Sequence, residues 1–402
     1  MRQLQCVIMA IVCLLVVGCA NMAINPNKLP KGVTLNKDVV LPVDLDLTVY
    51  IPSRIFSGHY TPKYSTNRVE YGNAMHRGFQ AVSNNFFPNL RYKQSNNNGK
   101  YGLFLDIDPD WNYQNNKINL TFDYKVLDSN AKVIYSNTQS FSENLSYQFQ
   151  EDSFHNAAVR VTQLMYVDIV NNLKPNKSTF PTIGFVSKVP NAMLANFEQP
   201  VLIGTGFKLN NNGAVLTANN NVRHCLVVKI KDHDQLIDTH LLASSNLLDL
   251  AVLSTEKTFN DYLSLSEADL KLGQQVTTVS YNKKDNGSAS SLSFGNINSL
   301  DGIQGSKGLY QFSAAIAPES KGGALLNSAG NVIGILNGDL NTEYLADTHH
   351  ISKNVYFAMK NEYLRKFLEL KSIPYSTAKT DPESDGVIEK AMTSILQVNC
   401  YQ

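Results

Sequence analysis

The chain opens on an apolar stretch that is too short to cross a membrane. Hydrophobic residues run almost without a break from Cys6 to Val17, after a basic residue at Arg2. A membrane-spanning helix needs about 20 apolar residues, whereas the core of a secretory signal needs only about 7–15. We therefore predict that residues 1–18 are a signal peptide.

A candidate lipidation site ends this stretch. Residues 16–19, Val-Val-Gly-Cys, resemble the bacterial lipobox, in which a peptidase cuts before a cysteine whose sulfur then carries diacylglycerol. The resemblance implies a lipoprotein whose partner is the lipid bilayer through acylated Cys19, with residues 19–30 as a tether. Ala20 after the cysteine, rather than Asp, implies sorting to the outer membrane in proteobacteria. A plain secretory signal with an incidental cysteine is the alternative.

The pattern over residues 31–173 predicts an α+β domain. The predicted elements are a strand over 39–52, a helix over 73–86, strands over 103–107, 117–126 and 132–142, and a helix over 152–173. Strands show period-two alternation and helices show apolar residues three and four apart. This order predicts an α+β sandwich with its helices on one sheet face. It contains no acid–base pair, nucleophile or phosphate loop, so we interpret it as a packing and interaction module.

Residues 174–182 contain two prolines and are predicted to be a linker. Many short apolar strands with Gly and Asn turns follow, which predicts an all-β barrel or sandwich over residues 183–375.

The tail, residues 376–402, contains a polar loop, a short helix over 387–394 and a strand over 395–400. We expect this tail to pack back on the barrel rather than to form a domain.

A series of segments in residues 183–375 resembles trypsin-like serine proteases of the DegP/HtrA type. In chain order the segments are 204–207, 214–218, 248–253, 270–280, 313–316, 322–326, 331–335 and 357–359, followed by a helix over 361–370. Each segment alone is a weak signal, but their order is the one that the family has. The resemblance implies a double β-barrel. The predicted fold is therefore multidomain, an N-terminal α+β sandwich followed by an all-β trypsin-like double β-barrel.

The resemblance also assigns the triad-equivalent positions, and the chemistry departs from the family there. Asn220 stands at the place of the general-base His, and an amide cannot accept the hydroxyl proton. Asp249 stands at the triad Asp, and Lys321 stands at the nucleophile. Glu319 replaces the Gly whose backbone N–H helps form the oxyanion hole. We therefore expect no functional catalytic residue, and we find no signal for a cofactor or a metal.

Three questions about this site stay open from the sequence. His224 lies four residues after Asn220 and could act as a substitute base. Ser320 could pair with the neighbouring Lys321 as a Ser–Lys dyad. The side chain of Lys321 could either form an ion pair with Asp249 that fills the space of the lost triad or point into solvent.

The net charge gives no indication of a nucleic-acid partner. The 402 residues include 35 basic and 34 acidic side chains, a net charge of +1, which gives no electrostatic footprint for nucleic acid.

The cysteine content leaves one possible disulfide. Outside the signal and Cys19, two cysteines remain, Cys225 and Cys400. In an oxidising periplasm they could form a disulfide, or they could stay as two buried thiols.

Together these features predict a lipid-anchored protein of the bacterial cell envelope, at the outer membrane. Its inactive trypsin-like domain is expected to bind a protein or peptide, as a scaffold or assembly factor. The alternative is an active lipid-anchored serine endopeptidase with a rearranged site that uses His224 or Ser320. A surface adhesin or lectin-like binder is the third possibility.

Overall fold

The chain divides into two compact units, Met1–Leu194 and Ala195–Gln402. A computed structural model describes residues 23–60, 69–93, 99–146, 150–284, 287–337, 355–379 and 386–402. The predicted signal peptide and Cys19 lie outside these ranges. In the ranges that are described, no helix is long and apolar enough to cross a membrane.

The first unit contains a five-stranded sheet and two long helices. Its strands are β1 (Leu47–Tyr50), β2 (Leu90–Tyr92), β3 (Lys100–Tyr101), β4 (Leu103–Gln114), β5 (Lys117–Leu127), β6 (Val133–Asn144) and β7 (Gly184–Phe185), and its helices are α1 (Tyr71–Phe86), α2 (Gln150–Leu173) and α3 (Asn191–Leu194). The sheet order is β2-β1-β4-β5-β6, with β1 parallel to both neighbours. The helices predicted over 73–86 and 152–173 correspond to α1 and α2.

Alternation along the strands places the core of this unit between the sheet and the two long helices. Ile118, Leu120 and Phe122 of β5 are fully buried and alternate with residues on the other face. They share one hydrophobic cluster with Phe79 of α1 and Phe154 of α2. The period-two and period-3.6 patterns in the sequence therefore meet in a single core.

The first unit extends beyond the predicted linker at 174–182. Residues 183–194, which the sequence assigned to the C-terminal domain, belong to the first unit. The reason is the strand β7, which pairs antiparallel with β3 through Gly184 and Phe185. A Cβ atom at Gly184 would lie 2.9 Å from the backbone of Ser129, so the close approach needs glycine there. The boundary lies between Leu194 and Ala195.

The second unit is built from two large sheets. Its strands are β8 (Leu202–Lys208), β9 (Ala214–Ala218), β10 (Val227–Asp232), β11 (Gln235–Asp238), β12 (His240–Ser245), β13 (Leu250–Ser254), β14 (Leu265–Ser266), β15 (Gln275–Lys284), β16 (Gly287–Ser299), β17 (Leu309–Phe312), β18 (Ala324–Leu326), β19 (Val332–Asn337), β20 (Tyr356–Lys360), β21 (Thr377–Ala378) and β22 (Ile395–Tyr401), and its helices are α4 (Asn361–Leu370) and α5 (Val387–Ser394).

The two sheets have seven and eight strands and pack around shared apolar side chains. Their orders are β11-β10-β22-β8-β9-β13-β12 and β18-β15-β16-β17-β20-β19-β14-β21, and an extra β18–β19 pairing curls the second sheet back on itself. Phe207 and Leu216 of the seven-stranded sheet form one buried cluster with Val279 and Leu326 of the eight-stranded sheet. The turn after β9 and the turn before β18 carry the candidate site residues described below.

The tail forms the helix and the strand that the sequence predicted. Strand β22 pairs antiparallel with β10 on one side and with β8 on the other, so it lies inside the seven-stranded sheet. All seven of its residues are buried. A disulfide joins Cys400 on this strand to Cys225, with their Cα atoms 5.3 Å apart. Of the two alternatives for these cysteines, the structure has the disulfide.

A buried network of charged side chains connects the seven-stranded sheet to the tail. Asp232, at the end of β10, accepts hydrogen bonds from Lys208 Nζ at 3.3 Å and from Lys257 Nζ at 3.0 Å. Lys208 also donates to the carbonyl of Thr393 at 2.8 Å, which satisfies an unpaired carbonyl at the end of α5. The Asp232 and Lys208 side chains are only 6% and 8% exposed. The network therefore links the sheet to the tail through charged groups that are almost out of solvent.

Candidate functional site

Strand pairing brings the predicted base position and the predicted acid position together. Strand β9 runs into a 3-10 turn, Asn219–Asn221, and Asp249 immediately precedes β13. The two strands pair antiparallel, with Ala218 opposite Leu250. Asp249 has a left-handed backbone, with φ of +48°, which Asp tolerates better than most residues. Its carbonyl accepts the Asn219 N–H at 3.0 Å, which fixes the turn against the strand.

Asn220 is a donor to the Asp249 carboxylate. Its backbone N–H donates to Asp249 Oδ1 at 2.7 Å, and its side-chain amide donates to Oδ2 at 3.3 Å. Both oxygens of the carboxylate are therefore engaged from one residue. The side-chain amide is a donor to the carboxylate, and an amide cannot act as a general base.

The turn before β18 carries Lys321 into the same place. A 3-10 turn, Pro318–Ser320, leads to Lys321, and Gly322 follows with a φ of +83°. A Cβ atom at Gly322 would lie 2.3 Å from the carbonyl oxygen of Thr205, so only glycine fits. The Lys321 carbonyl accepts the Thr205 N–H at 3.0 Å and the Asn221 side-chain amide at 2.9 Å.

Lys321 forms an ion pair with Asp249. The distance from Lys321 Nζ to Asp249 Oδ2 is 3.3 Å, and the two side chains are 8% and 21% exposed. Of the two alternatives from the sequence, the structure therefore has the ion pair and not a solvent-directed lysine. Asn220, Asp249 and Lys321 come together as the sequence predicted. An ammonium ion held by a carboxylate has no lone pair with which to attack a carbonyl.

The backbone N–H groups that follow Glu319 are directed at carbonyl oxygens within the same turn. The Ser320 N–H donates to the Ala317 carbonyl at 3.0 Å, and the Lys321 N–H is directed at the Pro318 carbonyl at 3.5 Å. The Glu319 carbonyl accepts the Thr205 hydroxyl at 2.7 Å, and its side chain is half-buried. The Lys321 N–H group therefore points at the protein's own backbone, within the turn.

The hydrogen bonds described for Ser320 and for the His224 backbone go to groups other than the ion pair. Ser320 is fully buried, and its hydroxyl accepts a hydrogen bond from Ser280 Oγ at 2.9 Å and one from the Ala317 N–H at 3.0 Å. His224 is exposed, and its carbonyl accepts from Gln402 Nε2 at 2.6 Å. The geometry favours neither residue as part of an active site.

Asn221 is a site residue that the sequence did not reveal. It is buried, and its amide also donates to Thr217 Oγ1 at 3.0 Å, besides holding the Lys321 carbonyl. From the sequence alone, the run of three asparagines, Asn219–Asn221, indicates only compositional bias and loop chemistry. In the structure each one has its own hydrogen bonds around the ion pair. Within the described ranges, no group of three or more His, Cys, Asp or Glu side chains could hold a metal ion.

The coupling between Lys321 and Asp249 can be measured with a double-mutant cycle. Lys321→Ala and Asp249→Ala are each expected to lower the free energy of unfolding by about 1–3 kcal/mol, because each leaves a largely buried charge without its partner. The double variant is expected to fall short of the sum by at least about 1 kcal/mol. Chemical denaturation followed by circular dichroism gives all four values.

The exposed pair of Lys307 and Asp301, at 2.6 Å, is the matched control. Its cycle is expected to give a coupling energy too small to resolve, since solvent screens both charges. Additive effects of Lys321→Ala and Asp249→Ala would contradict an energetic role for the ion pair.

Comparison with known proteins places this site in a trypsin-like domain. Residues 204–335 match the family model described as trypsin-like peptidase domain. The uncharacterized protein y4bJ of Sinorhizobium fredii is 29% identical over 202 residues, which are 49% of this chain and 32% of that protein. The crystal structure of the serine endoprotease from Yersinia pestis has 23% identity and a TM-score of 0.35, over 42% of this chain and 57% of that one.

This chain thus spans about a third of the curated relative and little more than half of the solved protein. The family match itself covers Asn220, Asp249 and Lys321 and most strands of the two sheets. The second unit therefore has a trypsin-like peptidase fold, and Asn220, Asp249 and Lys321 lie together within the matched residues.

Proposed function

We propose that the second unit binds a protein or peptide without cleaving it, in a protein that is anchored to the bacterial cell envelope through lipid on Cys19. The observation that carries this proposal is the ion pair between Lys321 and Asp249 at 3.3 Å. It occupies the space that a nucleophile and its base need. The match to a trypsin-like peptidase domain supports descent from a protease-related protein.

Loss of catalysis follows from three changes that act together. The base position has an amide that donates to Asp249, so no group there accepts a proton. The nucleophile position has a lysine that is already paired. The Lys321 N–H is directed at Pro318 within the turn, so it is not presented to a developing oxyanion.

Binding is the activity that such a domain can retain. A trypsin-like fold builds its site from turns at the meeting of two sheets, and here that framework is kept while the reacting groups are replaced. Function then depends on the surface around the site rather than on the fold. The first unit, with its sheet and two helices, is proposed to act as a second interaction module.

Export to an oxidising compartment is part of the same proposal. Residues 16–19 supply the lipobox-like segment, and the disulfide between Cys225 and Cys400 supports a periplasmic or extracellular location, since disulfides are rare in the cytosol. Sorting to the outer membrane rests on Ala20 alone.

Two labels on the same bacterial cultures test the proposal. Cells that express the full chain are fed a palmitate analogue, and the isolated protein is then treated with a fluorophosphonate probe for active serines. We expect palmitate label that is lost in Cys19→Ser, and no fluorophosphonate label at any serine. The controls are Ser320→Ala and His224→Ala, beside an active serine protease as the positive standard.

Fluorophosphonate label that disappears in Ser320→Ala would replace the binding role with that of a serine endopeptidase. Absence of palmitate label in a protein that is exported and has lost residues 1–18 would replace the lipid anchor with a plain secretory signal. Unlabelled, folded protein would be carried forward to crosslinking for envelope partners.

A further inference from the structure

The second unit has a large cavity apart from the ion pair. Its volume is about 930 Å³, and none of Asn220, Asp249 and Lys321 lines it. Small-molecule sites in proteins range from about 300 to 1,000 Å³, so this cavity is the size of a ligand site. It lies between the paired strands β15 and β16 on one side and the helix α5 on the other.

The sheet side of the cavity is a face of side chains. Thr277 of β15 lies opposite Phe294 of β16, and Val279 lies opposite Leu292, and all four line the cavity. Residues two apart along a strand share one face of a sheet. The backbone of β15 is paired there with β16 on one side and with β18 on the other. The cavity therefore offers side chains rather than a free strand edge.

Depth and exposure divide the lining into a dry floor and an apolar rim. Val279, Leu326 and Ile395 form the floor and are almost fully buried. Phe294 and Ile388 line the same cavity and are 57% and 47% exposed. Large apolar side chains are exposed to water around a cavity of this size. Such exposed apolar surface is typical of a site that binds an apolar ligand.

The polar groups of the lining indicate the chemistry of the ligand. Thr277 and Ser290 offer neutral hydrogen-bonding groups, and the ionisable side chains among the described lining residues are Glu389, Tyr281 and the exposed His233. Neither Lys nor Arg is among these described residues, so they include no permanent positive charge to neutralise a carboxylate or phosphate. An extended peptide would leave its own N–H and C=O groups without strand partners over a face of side chains.

We propose that this cavity binds a neutral lipid, a hydrocarbon chain with an uncharged ester or hydroxyl head group. The chain lies along the floor of Val279, Leu326 and Ile395, and the hydroxyls of Thr277 and Ser290, on either side of Val279 along the sheet, each offer the head group a partner at one end of this floor. The ligand also contacts α5 and the first residue of β22, so its binding stabilises the tail against the sheet. This site is independent of the proposed role of the ion pair.

Binding of 1-monooleoylglycerol to the full chain tests the proposal. We expect it to raise the thermal unfolding midpoint by about 2–5 °C and to displace the fluorescent probe N-phenyl-1-naphthylamine. Phe294→Glu, at the exposed rim, is expected to weaken displacement by about tenfold or more. Leu292→Arg, deeper in the wall, is a second variant that should abolish it.

The matched control is Leu241→Glu. Leu241 is as exposed as Phe294 but lies on β12, outside the cavity, so this variant should bind like the original protein. Oleate, which has the same chain and an anionic head group, should displace the probe less well than monooleoylglycerol. Probe displacement by an apolar tetrapeptide but not by monooleoylglycerol, or binding that Phe294→Glu leaves unchanged, would overturn the proposal.

Discussion

Asp232→Asn is expected to lower the free energy of unfolding of the second unit by about 3–5 kcal/mol, since breaking a buried pair leaves an uncompensated charge. The Asp232 carboxylate lies between Lys208 and Lys257, and Lys208 is almost as buried as Asp232. An amide cannot neutralise two ammonium groups. Chemical denaturation of the full chain, followed by far-ultraviolet circular dichroism, measures the loss.

The molecule supplies its own internal control for this measurement. The chain has one tryptophan, Trp111, which lies in the first unit. Its fluorescence should report the same unfolding midpoint in Asp232→Asn as in the original protein. Asp238→Asn is the matched variant, because the pair of Asp238 with Lys229 lies in the same sheet with the carboxylate exposed. It should cost only about 0–1 kcal/mol.

The effect of Asp232→Asn also has a defined pH dependence. Burial alone would raise the pKa of Asp232. The hydrogen bonds and positive charges of Lys257 and Lys208 lower it by more than burial raises it, so the pKa lies below its ordinary value. The exposed ring of His233 is the other titratable group in contact. A carboxyl group with a lowered pKa stabilises the fold above its unfolded pKa of about 4 and loses this contribution as the pH falls through the folded value.

The difference in stability between the original protein and Asp232→Asn should therefore be constant at neutral pH and shrink below about pH 4. A difference that stays the same down to the acid limit would mean that the carboxylate charge is not what stabilises the network.

Removal of the disulfide is expected to have an effect of similar size. Cys225 and Cys400 are 175 residues apart, and a cross-link over so long a loop is worth about 4–5 kcal/mol in the chain-entropy account. Cys225→Ala with Cys400→Ala should lower the free energy of unfolding of the second unit by that amount. Alanine is the replacement because Cys400 is buried and a serine hydroxyl would need a new partner.

A reducing agent gives the second arm of this experiment. Dithiothreitol should lower the thermal midpoint of the original protein toward that of the double alanine variant, and it should leave the variant unchanged. An original protein whose melting is insensitive to the reducing agent would show that the cross-link is absent or contributes nothing.

The sequence predicted the elements of the second unit better than their partners. The period-two pattern over residues 395–400 predicted a strand, but a strand pattern does not say which neighbours it pairs with. Its partners, β8 and β10, lie far back in the chain, and the pairing was found only in the structure. The boundary between the two units lies beyond the predicted linker for a related reason, because β7 has two residues and is defined only by its pairing with β3.

The candidate site was predicted in part because the family resemblance fixes positions in order. It placed Asn220, Asp249 and Lys321 together, which hydrogen bonds and an ion pair now join. It did not decide where the Lys321 side chain points, since that depends on the turn geometry around Gly322. It also missed the network of Lys208, Asp232 and Lys257, because three separated charges carry no pattern that distinguishes them from surface residues.

Strand β22 is the last strand to be synthesised, although it lies inside the seven-stranded sheet. Strands β8 and β10 both pair with β22, and residues 233–394 are synthesised between β10 and that strand. At about 5–20 residues per second, the ribosome needs on the order of ten to thirty seconds for this interval. During that time two strand edges have no partner and can pair with another nascent copy. Export of the chain in an unfolded state, as the proposed signal peptide would permit, would avoid this period of exposure because folding would begin only after residue 401 has arrived.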